Sequence, residues 1–266
     1  MNTAFALHCL NRDLTNLALI KHRHWDGYLV TGQHSGTHWI KWMLSWAMAH
    51  RYGLEPPRFY NNNSSNAVIG HPKHRLEFKG VPRIASSHSI PAYAVQWGWV
   101  RSLAPLPPYG VVMRDLRDVL VSNYEKWKAK YAVPFEVYVE GDPRSKRYVC
   151  DVWWYIRFMN RWGEVASRFP AETRVLKYED FRRDPGGQLD LLAKHLGLDL
   201  GPDAIAAGVA AGGKDTMLAH MDPNAPAQAV REDGRGDTVW TPETTARLQA
   251  ILREHLKHDF GYDFGI

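Results

Sequence analysis

The chain has 266 residues, of which 45% are hydrophobic and 23% are charged, and its formal net charge is +5. This composition excludes a disordered or fibrous chain, and the length fits a single α/β domain over residues 1–266. Because the positive excess is small and no block of like charges occurs, the sequence argues against a general nucleic-acid binder.

Cysteine usage and hydropathy indicate the compartment. Cys9 and Cys150 show no disulfide framework or CxxC spacing, which favours a reducing, cytoplasmic location. The first 25 residues carry no basic residue ahead of their apolar patch and no cleavage pattern, so we predict no signal peptide. The most apolar helix-like segment, WIKWMLSWAMA, is too short for a membrane span and contains Lys41.

Short β-rich segments alternate with helix-length amphipathic segments, a pattern typical of a parallel sheet with helices on its faces. In chain order, the predicted strands are GYLVT, RIASS, GVVMR and TRVLKY. The predicted helices cover residues 36–51, 91–103, 116–129, 145–168, 184–196, 202–211 and 242–256. Two long irregular segments, 56–74 and 220–240, are predicted to be ligand-covering loops.

The turn after the first strand, within YLVTGQHSGTHW, predicts an anion site. Gly32 and Gly36 permit close backbone approach, and the hydroxyls of Ser35 and Thr37 can donate to the same oxygens. Backbone N–H groups and the positive end of the following helix favour phosphate or sulfate there. The alternative is an ordinary helix cap with a tight turn.

Three other motifs are disfavoured at this turn. A Walker A loop requires Lys after its last glycine, but Thr37 follows Gly36 here. The nucleophile elbow G-x-S-x-G fails because Gly32 precedes Ser35 by three positions. The pair His34 and His38 could suggest zinc, yet no cysteine or carboxylate pair stands nearby at ligand spacing, so we predict no metal.

Two segments carry a family resemblance. QHSGTHW resembles the 5′-phosphosulfate loop P-K-S-G-T-T-W of the sulfotransferases that use 3′-phosphoadenylyl sulfate (PAPS), and four positions match: Ser35, Gly36, Thr37 and Trp39. YGVVMRDLRDVLVSNYEKW resembles the family's 3′-phosphate element, with Arg114 and Ser122 at its two phosphate-binding positions. The planar guanidinium of Arg114 suits phosphate.

Two later segments resemble the same family. In RVLKYEDFRRDP, Tyr178 corresponds to the tyrosine that helps to hold adenine. In REDGRGDTVW, which resembles the late loop R-K-G-x-x-G-D-W, Arg231 and Gly236 align and Arg235 could replace a lost positive charge. Trp39 matches the tryptophan that stacks on adenine, although Trp39, Trp42 and Trp46 also fit one apolar helix face.

The resemblance implies a P-loop-like three-layer α/β sandwich, with a central parallel sheet of four or five strands flanked by helices. It also implies sulfuryl transfer from PAPS to a hydroxyl or amine, with adenosine 3′,5′-bisphosphate (PAP) as product and no metal. The nucleotide-binding residues that it implies are Gln33, His34, Ser35, Gly36, Thr37, His38, Trp39, Arg114, Ser122, Tyr178, Arg231, Arg235 and Gly236.

Two histidines are predicted to be catalytic. His34 stands where the family has a lysine that neutralises the leaving phosphate, and a protonated imidazole between phosphates could take that role. The competing interpretation assigns it to another cation such as Lys41. RIASSHSIP resembles the family's K-T-H-x-P, which makes His88 the predicted general base. Its alternative is a histidine at a strand end with no catalytic role.

The acceptor is left open as a small molecule, a sugar or a lipid, because family acceptor pockets are built from variable loops. Candidate acceptor segments are FYNNNSSN, AYAVQWGWV and VWWYIRFMNRW. We expect no nucleic-acid partner and no transmembrane segment, with a homodimer as a possible assembly. The alternatives are a nucleotide or metabolite kinase and a homologue that binds the nucleotide but has lost turnover.

Overall fold

The computed structural model describes residues 2–17, 21–72, 80–224 and 239–266. Within these residues, four strands form one parallel sheet in the order β2-β1-β3-β4. They are β1 (Gly27–Thr31), β2 (Ile84–Ser87), β3 (Tyr109–Met113) and β4 (Thr173–Lys177). All four predicted strands are therefore confirmed, and their carboxyl ends lie at the same edge of the sheet.

Helices follow the strands and cover the sheet. They are α1 (Thr3–Leu14), α2 (Thr37–Tyr52), α3 (Gly98–Leu103), α4 (Leu116–Tyr131), α5 (Phe135–Tyr138), α6 (Val152–Arg168), α7 (Tyr178–Arg183), α8 (Pro185–His195), α9 (Gly201–Ala211), α10 (Lys214–Ala219) and α11 (Pro242–His255). Short 3₁₀ turns occur at Ser64–Ala67 and Tyr93–Gln96. No described helix has the length and apolar character needed to cross a bilayer.

Alternate strand residues face opposite sides of the sheet, which creates two apolar layers. Tyr28 and Val30 pack in a cluster with residues of α4, α6 and α11, whereas Leu29 packs with residues of α2, α8 and α9. In β3, Val111 and Val112 divide between the same two clusters. Every residue of β1 and β3 is buried, which explains why these two central strands are mostly apolar. The arrangement confirms the three-layer α/β fold with a parallel sheet.

The helix predictions differ from the structure at α6, at residues 91–103, and at α1, α5, α7 and α10, which were not predicted. Helix α6 begins at Val152 instead of residue 145, because the Asp151 side chain accepts a hydrogen bond from the backbone N–H of Trp154 and caps the helix there. Helix α1 was not predicted, since its apolar residues are mostly exposed and only Phe5 is buried. Other predicted helices agree at their ends within two residues, except 91–103, which divides into a 3₁₀ turn and α3.

Candidate active site

The turn between β1 and α2 is a tight loop with two left-handed residues. His34 has φ 59° and Gly36 has φ 74°. A Cβ atom on Gly36 would lie 2.5 Å from the ring of Tyr178, so this position requires glycine. No side chain caps the start of α2 at Gly36, and the first helical N–H groups, among them those of Thr37 and His38, have no intrahelical acceptor. The loop therefore offers backbone donors to an anion.

Tyr155 of α6 supports the loop from beneath. Its hydroxyl donates to the carbonyl oxygen of Gln33 and lies 3.3 Å from the Ser35 hydroxyl. Ser35 is fully buried, so its side chain faces the core. Sequence reasoning missed Tyr155, because it is 120 positions from Ser35 and stands in an aromatic segment that we interpreted as a candidate acceptor region. The predicted contact of the Ser35 hydroxyl with phosphate stays a prediction.

The His34 side chain joins the loop to α4. Its Nε2 lies 3.1 Å from Oδ1 of Asn123, and its Nδ1 lies 3.1 Å from the Ser122 hydroxyl. The Asn123 amide nitrogen donates to other groups, including the Tyr138 hydroxyl, so its Oδ1 is the acceptor and His34 Nε2 carries a proton. The structure therefore brings together His34 and Ser122, which belong to two different sequence motifs.

Arg114 follows β3 and contacts the same loop. Its Nη1 donates to the carbonyl oxygen of His34 at 3.1 Å, and its Nη2 lies 3.2 Å from a carboxylate oxygen of Asp118. The guanidinium carbon lies 4.7 Å from the centre of the Tyr178 ring. Its Nε is buried and has no hydrogen-bond partner among the residues that the structure describes. A buried donor of this kind is available to a bound oxyanion.

Two aromatic side chains stand beside the loop. Trp39 and Tyr178 have ring centres 6.0 Å apart and meet edge to face. Trp39 donates from Nε1 to the carbonyl oxygen of Gly212 at 2.9 Å, whereas Trp42 is fully buried and forms the inner part of the same helix face. The structure thus places Trp39 next to the predicted adenine residue and also on the apolar helix face. A cavity of about 480 Å³ opens beside Arg114 and Tyr178.

His88 follows β2, on the other side of β1 from Arg114. Its Nδ1 lies 2.8 Å from the carbonyl oxygen of Thr31. Since a carbonyl can only accept, Nδ1 carries the proton and Nε2 presents a lone pair. The His88 ring is exposed to solvent yet densely surrounded by protein atoms, as in a concave surface. Burial lowers its pKa most, the hydrogen bond to the Thr31 carbonyl partly opposes this, and the nearby charges of Lys126 and Lys41 lower the pKa further.

Of the remaining predicted residues, some lie in the first turns of α2 and the others lie outside the described part of the chain. Thr37 bonds through its hydroxyl to that of Thr31 at 2.7 Å. His38 is exposed at the start of α2. Lys41, the alternative to His34, donates to Oδ1 of Asn66 in the Asn-rich loop. Arg231, Arg235 and Gly236 lie outside the described residues. Within the described residues, no three histidine, cysteine or acidic side chains group as metal ligands would.

The chain belongs to the sulfotransferase family: the family model described as "Sulfotransferase domain" matches residues 26–217. A mouse (Mus musculus) protein, sulfotransferase 2A6, is 28% identical over 138 residues, which make up 49% of this chain and 44% of the mouse protein. The chain therefore matches less than half the length of that relative.

Solved structures share the fold. Mouse sulfotransferase SULT7A1, in a crystal structure with PAP, has a TM-score of 0.55 and 16% identity, with 90% of this chain and 86% of that chain covered. Retinol dehydratase, in a complex with retinol and PAP, has the same TM-score and identity, with 90% and 83% covered. At this identity the likeness establishes the P-loop-like fold.

We predict that Tyr155→Phe weakens the anion loop. Removing the hydroxyl leaves the Gln33 carbonyl and the Ser35 hydroxyl without this partner, so the free energy of unfolding should fall by roughly 1–3 kcal/mol. Stabilisation by inorganic phosphate in thermal melts should also fall. The matched control is Tyr124→Phe, which removes a 2.9 Å bond to the Val133 carbonyl. Equal phosphate stabilisation in both variants would contradict the supporting role of Tyr155.

Proposed function

We propose that this protein is a PAPS-dependent sulfotransferase that moves a sulfuryl group to a hydroxyl or amine of a small-molecule, sugar or lipid acceptor. The observation that supports this most is the contact between two anion-binding elements at His34. Arg114 reaches its carbonyl oxygen and Ser122 reaches its imidazole, both at 3.1 Å. One doubly phosphorylated nucleotide can therefore contact both elements.

The described residues fit such a nucleotide. The buried Nε of Arg114 has no protein partner, and the cavity beside it is lined by Tyr178. Arg114 and Ser122 would hold the 3′-phosphate, the N–H groups after Gly36 would hold the phosphosulfate, and Trp39 with Tyr178 would hold adenine. The bound donor supplies an activated sulfuryl group, and negative charge develops on its departing phosphate during transfer.

The protein's own part in the reaction lies at the two ends of this site. Nε2 of His88 accepts the acceptor's proton, because Nδ1 donates to the Thr31 carbonyl and fixes that tautomer. The donors at the start of α2 stabilise the leaving phosphate. Arg231, Arg235 and Gly236, which lie outside the described residues, stay predicted contacts of the 3′-phosphate.

Family membership does not favour the kinase alternative. A homologue that binds the nucleotide without turnover stays an alternative, because His34 replaces the family lysine. PAP binding without sulfated product over a broad acceptor panel would favour that alternative. A cytoplasmic location and a homodimer also stay predictions.

The nucleotide preference tests the proposal directly. We expect PAP at about 100 times its Kd to stabilise the protein by roughly 2.7 kcal/mol, and to raise Tm more than AMP or ATP with Mg²⁺ at equal concentration. Arg114→Gln should remove most of this preference, whereas Arg117→Gln, an exposed neighbour paired with Asp115, should keep it. Sulfuryl transfer from PAPS should persist in EDTA. A larger shift with ATP and Mg²⁺ would instead favour a kinase.

His88 is expected to act as the base. His88→Ala should lower kcat by roughly 10²–10⁴ while PAP still raises Tm. Because burial lowers the pKa of His88, the residue is neutral at pH 7, and kcat/KM should fall only as pH drops through a midpoint below about 6.5. His50→Ala, a histidine near the far end of α2, serves as control. A midpoint above that value, or retained turnover in His88→Ala, would exclude this role.

His34 is expected to supply positive charge at the leaving phosphate. His34→Asn keeps a residue that tolerates the left-handed conformation at φ 59°, and should lower kcat by roughly 10²–10³. His34→Lys should retain activity and extend it to higher pH, since a lysine keeps its charge to about pH 10. Full activity of His34→Asn in steady-state assays would assign the leaving-group charge to another cation.

A further inference from the structure

Helix α4 presents one face to the anion loop. At its start Arg114 pairs with Asp118 at 3.2 Å, and one turn later the Ser122 hydroxyl lies 3.1 Å from His34 Nδ1. Lys126 is four residues after Ser122 and therefore lies on the same face, one turn further from Arg114. Lys126 is exposed to solvent. Sequence reasoning missed Lys126, although its spacing from Ser122 could have identified it.

A second lysine reaches the same region from α2. The Thr37 hydroxyl bonds to the Thr31 hydroxyl at 2.7 Å, and the Thr31 carbonyl accepts from His88. Lys41 lies four residues after Thr37, one turn further along the same helix face. Its ammonium donates to Oδ1 of Asn66, which belongs to the Asn-rich loop. A lysine that donates to an amide thus lies one helical turn from the Thr37, Thr31 and His88 contacts.

The charges in this region are of one sign. Lys126 and Lys41 both act on the imidazoles of His38 and His88, and both lower the pKa of each ring after the larger effect of burial. Burial also lowers the pKa of Lys41 to about 8. In the part of the chain that the structure describes, no carboxylate forms an ion pair with either lysine. The positive potential of Lys126 and Lys41 therefore favours the binding of an anion between or beside them.

The strand order separates this region from the nucleotide residues. The sheet runs β2-β1-β3-β4, so His88 after β2 lies on one side of the loop, and Arg114 after β3 and Tyr178 after β4 lie on the other. Neighbouring strands are about 4.8 Å apart. A nucleotide that contacts Arg114 and Tyr178 therefore extends away from His88. Lys41 in α2 and Lys126 in α4 belong to the helices that follow β1 and β3, and the charges of both act on His88.

We propose that the acceptor is anionic: besides its attacking hydroxyl or amine it carries an oxyanion such as a carboxylate, sulfate or phosphate, and Lys126 together with Lys41 binds that group. This inference rests on the proposed sulfotransfer. The acceptor's nucleophilic atom forms the new bond to sulfur, and its proton passes to Nε2 of His88. The sulfur–oxygen bond to the departing phosphate breaks, and its electron pair stays on that phosphate oxygen.

The experiment compares acceptors that differ only in charge. The pairs are 3-(4-hydroxyphenyl)propanoate with its amide, and glucuronate with glucose. Their kcat/KM values are measured with PAPS, and their Kd values are measured by calorimetry on the PAP-saturated protein. We expect at least one acid to exceed its neutral partner by about tenfold or more in both measurements, the effect of one charge-assisted contact. Lys126→Gln should remove most of that preference, and Lys126→Glu should reverse it.

Lys128→Gln is the matched control. It removes the same charge from the same helix, but Lys128 is exposed and pairs with Glu125 at 2.8 Å, so the acid preference should remain. Equal Kd values for acid and neutral partners, or a Lys126→Gln variant that weakens PAP binding or slows both acceptors equally, would overturn the inference. If PAP produced no thermal stabilisation and PAPS no transfer to any acceptor, the sulfotransferase proposal itself would fail.

Discussion

The hydrogen bond from Arg114 to the carbonyl oxygen of His34 connects two anion-binding elements, and the rest of the site depends on it. It is possible because β1 and β3 are adjacent, so the loop after β1 and the residue after β3 are separated by about one strand spacing. The left-handed conformation of His34 and the Tyr155 hydroxyl beneath Gln33 help to hold the loop in position for this contact. The order of the strands in the sheet thus largely determines where the two anion-binding elements lie.

The sequence predicts the central layer well, because the two central strands β1 and β3 are buried on both faces and are mostly apolar. All four strands and most helix ends agree with the structure. Helix α1 escaped prediction for a physical reason. Leu7 and Leu10 are 62% and 56% exposed, so the apolar residues of α1 do not form one face that packs against the core. The early start predicted for α6 ignored the Asp151 cap, which only the structure identifies.

Residues of the site were predictable where they lie within one strand–turn–helix unit, since chain connectivity alone brings Gly36, Thr37 and Trp39 together. Side-chain direction was not predictable: Ser35 matches a phosphate loop, yet its hydroxyl faces Tyr155 in the core. Contacts between residues that are far apart in the sequence could not be predicted either. The bond between Lys41 and Asn66 joins α2 to a loop, and its existence depends on how that loop folds back across the sheet edge.

The charges around the site favour the binding of an anion. Asp118 neutralises Arg114 only in part, because the pair lies near solvent and exposed pairs contribute little. On the other side of the loop, Lys126 and Lys41 disfavour the protonated forms of His38 and His88. The positive potential of the two lysines favours a bound oxyanion. Burial, with a smaller contribution from the two lysines, lowers the pKa of His88 and keeps it neutral, so the lysines favour both anion binding and the base.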